Sequence, residues 1–302
     1  MKLLSQSILM PMLLLSALSF ATCKVTERHP VTPPPGFDWQ GHRGCRGLLP
    51  ENSIPAFLHA LSFSDVTTLE LDLAVSKDHQ LIVSHEPWFN PAICTLPDSA
   101  NAELRYRIYE KTVEEISTID CGSKGNPRFP EQTKQRTGKP TLDEVVEAVQ
   151  QAFPNREIRW NIEIKSDKNW DGQLTPPIAE YTRLVLEAVR RLKLSSRCTV
   201  QSFDVRPLQI LHQEAPDLLL TLLVENTAGL DANIRKLGFT PHAYSPYYLM
   251  VNKKLVRHCH QKGMKLIPWT VNDVPAMRRL IRLGVDGIIT DYPNRIKTAT
   301  TK

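Results

Sequence analysis

The sequence is poor in glycine, with 13 against 23 prolines in 302 residues. That ratio excludes collagen-like and glycine-rich repeats. A Gly-x-Gly-x-x-Gly crossover is absent, and His42-Arg43-Gly44-Cys45-Arg46-Gly47 does not supply one, so nothing supports a dinucleotide-binding turn. No Cys-x-x-Cys pair occurs, which argues against a structural zinc knuckle. There is no Lys/Arg-rich run and no recognition-helix motif. The excess of 37 Lys+Arg over 32 Asp+Glu leaves a net charge of only +5, so electrostatics gives no case for nucleic acid. With 41% hydrophobic and 23% charged residues, the chain can bury a full core and is not a disordered tail protein. No stretch beyond residue 22 is long and apolar enough to span a bilayer.

What is present begins with an address. Residues 1–22 carry one charge, Lys2, and a leucine-rich run ahead of small residues, the layout of a secretory signal peptide. Ser5, Gln6, Ser7 and Pro11 interrupt the run, against a spanning helix. Cys23 follows Phe20-Ala21-Thr22, and this segment resembles the lipobox of bacterial lipoproteins. The resemblance implies lipidation of Cys23 and a membrane anchor, in the periplasm or cell envelope; plain cleavage nearby would leave Cys23 an ordinary cysteine. Residues 23–37, with Pro30 and Pro33–Pro35, read as an extended tether. Export also permits disulfides. Cys45, Cys94, Cys121, Cys198 and Cys259 are odd in number, and Cys94 and Cys121, which share one loop-like region, are expected to pair.

Residues 38–302 read as one domain. Strand-length apolar runs lie at 38–43, 68–75, 158–165, 198–203, 218–225, 243–246, 264–271 and 287–290. Helical patterns at 53–63, 142–152, 178–192, 206–213, 253–261 and 274–283 fall between most of them. Thr141 is placed to cap a helix, and Gly263 and Gly284 follow helix ends. Strand–helix alternation means parallel strands joined by crossovers, and eight such units predict an α/β (β/α)8 barrel. A doubly wound sheet is the alternative. Residues 81–85 should fold back on the second strand as a hairpin. The segment 86–140 is an insertion too long for an idle loop, expected to cap one end of the barrel.

Leu69-Glu70-Leu71-Asp72-Leu73 alternates strictly, so its carboxylates share one face and its leucines the other. Asn161, Glu163 and Lys165 share a face of Trp160–Lys165 in the same way. In a barrel the leucines meet the helices and the charges point inward. Carboxylates converging in a low-dielectric interior repel unless a cation joins them, and an all-oxygen set suits Ca²⁺ or Mg²⁺. A half-exposed sheet would show the same alternation. His42 and His85 end strands, where barrel catalytic groups meet, and an imidazole pair can serve as general acid and base. His29, His59, His79, His212, His242, His258 and His260 read as structural or solvated.

These residues fall in an order that resembles the glycerophosphodiester phosphodiesterase family. The similarity runs from His42-Arg43-Gly44, Pro50-Glu51-Asn52-Ser53 and Ala56-Phe57 through Glu70-Leu71-Asp72, Val83-Ser84-His85 and Glu163-Ile164-Lys165. It continues with Gln201-Ser202-Phe203 and Pro268-Trp269-Thr270-Val271-Asn272, and ends in Gly284–Pro293. The resemblance implies a TIM barrel with an insertion after the second strand, and one divalent cation on Glu70, Asp72 and Glu163. It implies His42 and His85 as the acid–base pair, Arg43 and Lys165 as phosphate ligands, and Trp269 lining the pocket for the glycerol or alcohol. The implied reaction is hydrolysis of small glycerophosphodiesters to sn-glycerol 3-phosphate and an alcohol. Relatives of the fold also act on lysophospholipids or sphingolipids. A non-catalytic binding lipoprotein would be expected to lack a histidine or carboxylate, and none is missing.

Overall fold

The computed structural model of the chain describes residues 31–97 and 106–300. The signal-like segment, Cys23 and the start of the tether lie outside the described residues.

Eight parallel strands follow one another around a barrel. They are β1 (Asp38–Gly41), β2 (Val66–Val75), β4 (Arg159–Ile164), β5 (Cys198–Ser202), β6 (Leu219–Val224), β7 (Ala243–Pro246), β8 (Lys265–Leu266) and β9 (Gly287–Thr290). Neighbours run β9-β1-β2-β4-β5-β6-β7-β8. The last seam, between β8 and β9, is closed by backbone N–H groups: Asp286 donates to the Leu266 carbonyl (2.9 Å), Ile289 to Pro268 (3.1 Å) and Val271 to Ile289 (2.9 Å). β3 (Leu81–Val83) folds back antiparallel on β2, pairing Leu73 with Val83 and Val75 with Leu81. The architecture is the (β/α)8 barrel that the alternation predicts.

The alternation of β2 explains where the core sits. Leu69, Leu71 and Leu73 are completely buried among helix side chains in the main apolar cluster, each worth about 2 kcal/mol of burial. Their neighbours Glu70 and Asp72 are thereby forced into the barrel. The enclosing helices are α1 (Ile54–Ser62), α3 (Leu142–Ala152), α4 (Ile178–Arg191), α5 (Val205–Glu214), α6 (Leu230–Leu237), α7 (Lys253–Gln261) and α8 (Val274–Leu283), with α9 (Ile296–Thr300) at the end. Thr141 caps α3 in a reciprocal capping box with Glu144, and Gly284 closes α8 in the left-handed conformation.

The structure departs from the sequence pattern at three places. The run 264–271 is a ladder strand only over β8; beyond Leu266 the chain meets its neighbour through an isolated bridge between Tyr247 and Trp269. Helix α6 has no counterpart in the sequence reading, although Leu230, Ile234 and Leu237 fall at helical spacing; it is short, and opens on Gly229 at φ +85°. The insertion is more ordered than a loop. It holds the helix α2 (Val113–Ser117), capped by Thr112 and Glu115, and a small core of Phe89, Ile93, Ile108, Ile116 and Ile119 against Ala74 and Ile82. A Cys94–Cys121 disulfide ties this core; Cys45, Cys198 and Cys259 are free and buried.

Candidate active site

The site sits at the carboxyl ends of the strands, where a cavity of about 530 Å³ opens among the loops. Register builds its centre. Across the β2–β4 pair Asp72 lies opposite Glu163, so two carboxylates meet on neighbouring strands, with Glu70 one pleat deeper. One oxygen from each of Glu70, Asp72 and Glu163 lies within 4.8 Å of the others, and all three residues are buried. Burial pushes the Glu70 carboxyl well above its ordinary range, helped by the nearby Asp72 and Glu163 charges. Burial likewise raises Glu163 to about 7, opposed by Lys165. Burial works against the Asp72 charge too, but Arg43, His85 and Lys165 hold this carboxyl below its usual value.

A polar spine through the barrel fixes Glu70. Gln40 donates to Asp38 (2.8 Å), and Asn161 donates to Gln40 (2.7 Å) and Gln201 (3.0 Å). Gln201 in turn donates to Glu70 Oε1 (2.9 Å), while the Arg43 backbone N–H donates to Oε2 (2.9 Å). Asn52 Nδ2 donates to Asp72 Oδ2 (2.9 Å). Asp72 Oδ1 is buried with no hydrogen-bond partner. An orphaned carboxylate oxygen beside two raised carboxyls is the environment a hard divalent cation fits: it would satisfy that oxygen and let all three ionise. Glu70, Asp72 and Glu163 would hold it.

Both sequence-expected histidines line the cavity. The β1–α1 turn delivers His42 through an unusual backbone, with Arg43 at φ +49° and Gly44 at φ +79°. A β-carbon on Gly44 would lie 2.6 Å from the Ala56 carbonyl carbon, so only glycine fits. His42 Nδ1 lies 2.6 Å from Asp291 Oδ1, and its Nε2 3.9 Å from Glu70. Burial lowers the His42 pKa to about 4, although Asp291 pulls it upward. His85 Nδ1 lies 2.9 Å from Glu86 Oε1, and its Nε2 3.0 Å from Lys165 Nζ. Burial lowers this imidazole also, with Arg43 adding to the effect.

The expected phosphate ligands are placed on the same side of the barrel mouth. Arg43 pairs with Glu51 (2.7 Å) and lies 3.1 Å from Asp72; Lys165 pairs with Glu163 (2.8 Å). Trp269 lines the cavity, its indole N–H donating to the Ser245 carbonyl (2.9 Å) and its ring perpendicular to Phe203. His258, His260 and His79 instead pair with Asp231, Asp286 and Glu180 and do not line the cavity.

Sequence reasoning gave no role to Asp291, Arg46, Asn272, Asn52 or Gln201. Asp291 directly follows β9, the kind of strand-end position that singled out His42. It accepts from Arg46 Nε (2.9 Å) and Asn272 Nδ2 (2.7 Å) besides facing His42. The others sit inside motifs whose neighbours drew attention first.

Paired imidazoles around a carboxylate triplet at the mouth of a parallel barrel define a TIM-barrel enzyme with a site shaped for a metal and an anion. The sequence profile of the glycerophosphoryl diester phosphodiesterase family matches residues 42–295, and the chain belongs to that family. A glycerophosphodiester phosphodiesterase of Caldanaerobacter subterraneus subsp. tengcongensis is 33% identical over 84% of this chain and 94% of its own. A crystal structure from Silicibacter pomeroyi superposes with a TM-score of 0.77 at 29% identity, covering 90% of this chain and 94% of that one. An Oleispira antarctica phosphodiesterase, solved with the product sn-glycerol-3-phosphate, shares the fold at 19% identity and a TM-score of 0.69, over 88% and 96% of the two chains.

Proposed function

We propose that the chain is a metal-dependent glycerophosphodiesterase releasing sn-glycerol 3-phosphate and an alcohol through acid–base catalysis by His42 and His85. The observation that carries this reading is the paired arrangement of the imidazoles. Each has Nδ1 against a carboxylate, Asp291 or Glu86, which fixes the Nδ1–H tautomer and turns Nε2 toward the site. The family match supports the substrate class, as does the product held by the Oleispira relative.

A divalent cation, Ca²⁺ or Mg²⁺, would neutralise charge on a nonbridging phosphoryl oxygen and acidify a bound hydroxyl. Arg43 and Lys165 bind the remaining phosphoryl oxygens, exchanging part of their carboxylate contacts for the substrate anion. One Nε2 takes the proton of the attacking hydroxyl, from water or from the substrate's own glycerol; in the second case a cyclic phosphate forms, which water then opens to sn-glycerol 3-phosphate. The other histidine protonates the departing alcohol oxygen as the P–O bond breaks. Asp291 and Glu86 stabilise the imidazolium form, which the base gains on taking its proton and which the acid starts from and gives up. The Trp269 and Phe203 rings wall the organic moiety. In a second reading the substrate is a lysophospholipid or sphingolipid, favoured by Phe203, 40% exposed although it lines the cavity.

Glycerol 3-phosphate release from glycerophosphocholine, assayed beside choline release from lysophosphatidylcholine, tests both readings. Activity that survives EDTA and Glu70→Gln would remove the metal from the mechanism. The address at residues 1–23 adds that the enzyme works in the periplasm or cell envelope, anchored through Cys23. Mass spectrometry of the mature N-terminus, with Cys23→Ala as control, tests that placement.

A further inference from the structure

We propose that the wall contributed by the insertion makes this site prefer diesters whose departing alcohol carries a second negative charge. The inference rests on the phosphodiesterase reading and specifies its alcohol. On this side of the cavity three arginines flank a pair of aromatic rings. The Arg46 and Arg128 guanidiniums lie 4.7 and 5.9 Å from the Phe129 ring centroid. Phe129 leans on Tyr292 at 6.3 Å, and Arg295 lies over Tyr292 at 3.8 Å. Arg46, Arg128, Phe129 and Arg295 all line the cavity.

The charges on this wall are not equally committed. Arg46 pairs with Asp291 and Arg295 with Glu131. Arg43 and Lys165, beside the metal-type carboxylates, are paired as well. Among the described residues Arg128 is the cavity-lining cation with no carboxylate partner, and it is exposed. A phosphodiester carries one negative charge, which Arg43, Lys165 and a cation already answer. Arg128 offers a charge beyond that need, at the rim, where a substituent on the alcohol would reach.

The wall is a folded element of the site. Gln132 Nε2 donates to the Arg46 carbonyl (2.7 Å) and the Leu49 carbonyl (3.2 Å), and Thr133 N–H to Leu48 (2.8 Å). The Arg128 N–H donates to Asn126 Oδ1 (3.1 Å) and the Phe129 N–H to the Asn126 carbonyl (2.9 Å). These bonds hold Arg128 and Phe129 against the β1–α1 turn that carries His42 and Arg43. A phosphate or carboxylate on the alcohol would gain a charge-assisted contact there. The facing wall carries Glu225 and the aromatic residues Phe203, Tyr247 and Trp269, so a cationic alcohol is the competing outcome.

The test uses the full chain with His42→Asn, which leaves diesters intact, in Ca²⁺ or Mg²⁺. Calorimetry compares bis(glycerophospho)glycerol, glycerophosphoglycerol and glycerophosphocholine, with and without Arg128→Gln. The first should bind about fivefold to tenfold tighter than the second after allowance for its two equivalent ends, and Arg128→Gln should bring that ratio close to one. A ratio that Arg128→Gln does not change, a ratio near one in the parent, tightest binding of glycerophosphocholine, or no binding of any diester overturns the proposal. Turnover by the unmutated enzyme is read separately. If no diester releases glycerol 3-phosphate, the phosphodiesterase reading fails while the binding ratio still decides this one.

Discussion

Asp291 Oδ1 stands 2.6 Å from His42 Nδ1, across the β1–β9 pair in which Gly41 is registered with Thr290. The two residues are far apart in sequence and adjacent at the barrel mouth because each directly follows the end of its strand. Asp291 is completely buried, and burial disfavours its charge, yet His42 and Arg46 keep its carboxyl well below the ordinary range. A fixed carboxylate on Nδ1 makes His42 present Nε2 to the substrate.

Asp291→Asn should therefore lower kcat by about 10²-fold or more with little change in KM, since orientation and imidazolium stabilisation are lost while the phosphate ligands remain. Steady-state kinetics on a glycerophosphodiester, with circular dichroism to verify folding, measures it. An unchanged kcat would mean that Asp291 only braces the barrel.

Asn52 Nδ2 is the hydrogen-bond donor on Asp72 Oδ2. Asn52→Ala should weaken divalent-cation binding by about 10- to 100-fold, the usual effect of removing a group that orients a metal-binding carboxylate. Glu163→Gln should weaken it further. Titration calorimetry with Ca²⁺ and Mg²⁺ gives both values and the order of preference.

The raised carboxyls of the candidate metal site should cost the metal-free protein stability as pH rises. Glu163, raised by burial from 4.5 to about 7, binds a proton more tightly folded than unfolded. Its stabilising contribution is complete below about 4.5 and disappears as pH passes about 7. Glu70 shifts in the same direction. His42, lowered by burial from 6.5 to about 4, contributes in the opposite sense between those values, so the readout is the difference the metal makes: the gain in Tm on adding Ca²⁺ or Mg²⁺ should grow with pH. A metal-induced gain that is flat with pH would contradict the assignment.

Cys94 and Cys121 are separated by 27 residues, a loop whose closure is worth about 3–4 kcal/mol in the chain-entropy treatment. Cys94→Ser with Cys121→Ser should lower the urea midpoint accordingly. The barrel itself does not depend on this staple, so hydrolysis of small diesters should respond less than stability does.

Gly44→Ala tests the strained turn. A β-carbon would collide with Ala56, and φ +79° disfavours any side chain, so destabilisation of about 2–3 kcal/mol is expected. Activity should fall with it, because the same turn sets His42 and the Arg43 N–H.

Much of the architecture was legible because period and length carry it. The leucines of β2 declared one face of the strand, and with that the carboxylate face. Strand and helix lengths declared the barrel. Helix α6 was legible in principle, since Leu230, Ile234 and Leu237 fall at helical spacing, but it is only two turns long and went unread. The order inside the insertion was not legible: its core depends on packing against Ala74 and Ile82, which belong to another segment. Asp291 was visible as a motif residue, but its partner is fixed only by the closing strand pair.

The sequence by itself determined the class of this protein, because the leader-like segment, the strand–helix alternation and the carboxylate and histidine positions are local patterns. Only the tertiary structure decided the pairings. Strand register set Asp72 opposite Glu163, barrel closure brought Asp291 to His42, and the folded insertion brought Arg128 to the cavity wall. Those relationships join residues from different segments, so no local pattern contains them; they follow from which strands are neighbours and from the burial that excludes water between them.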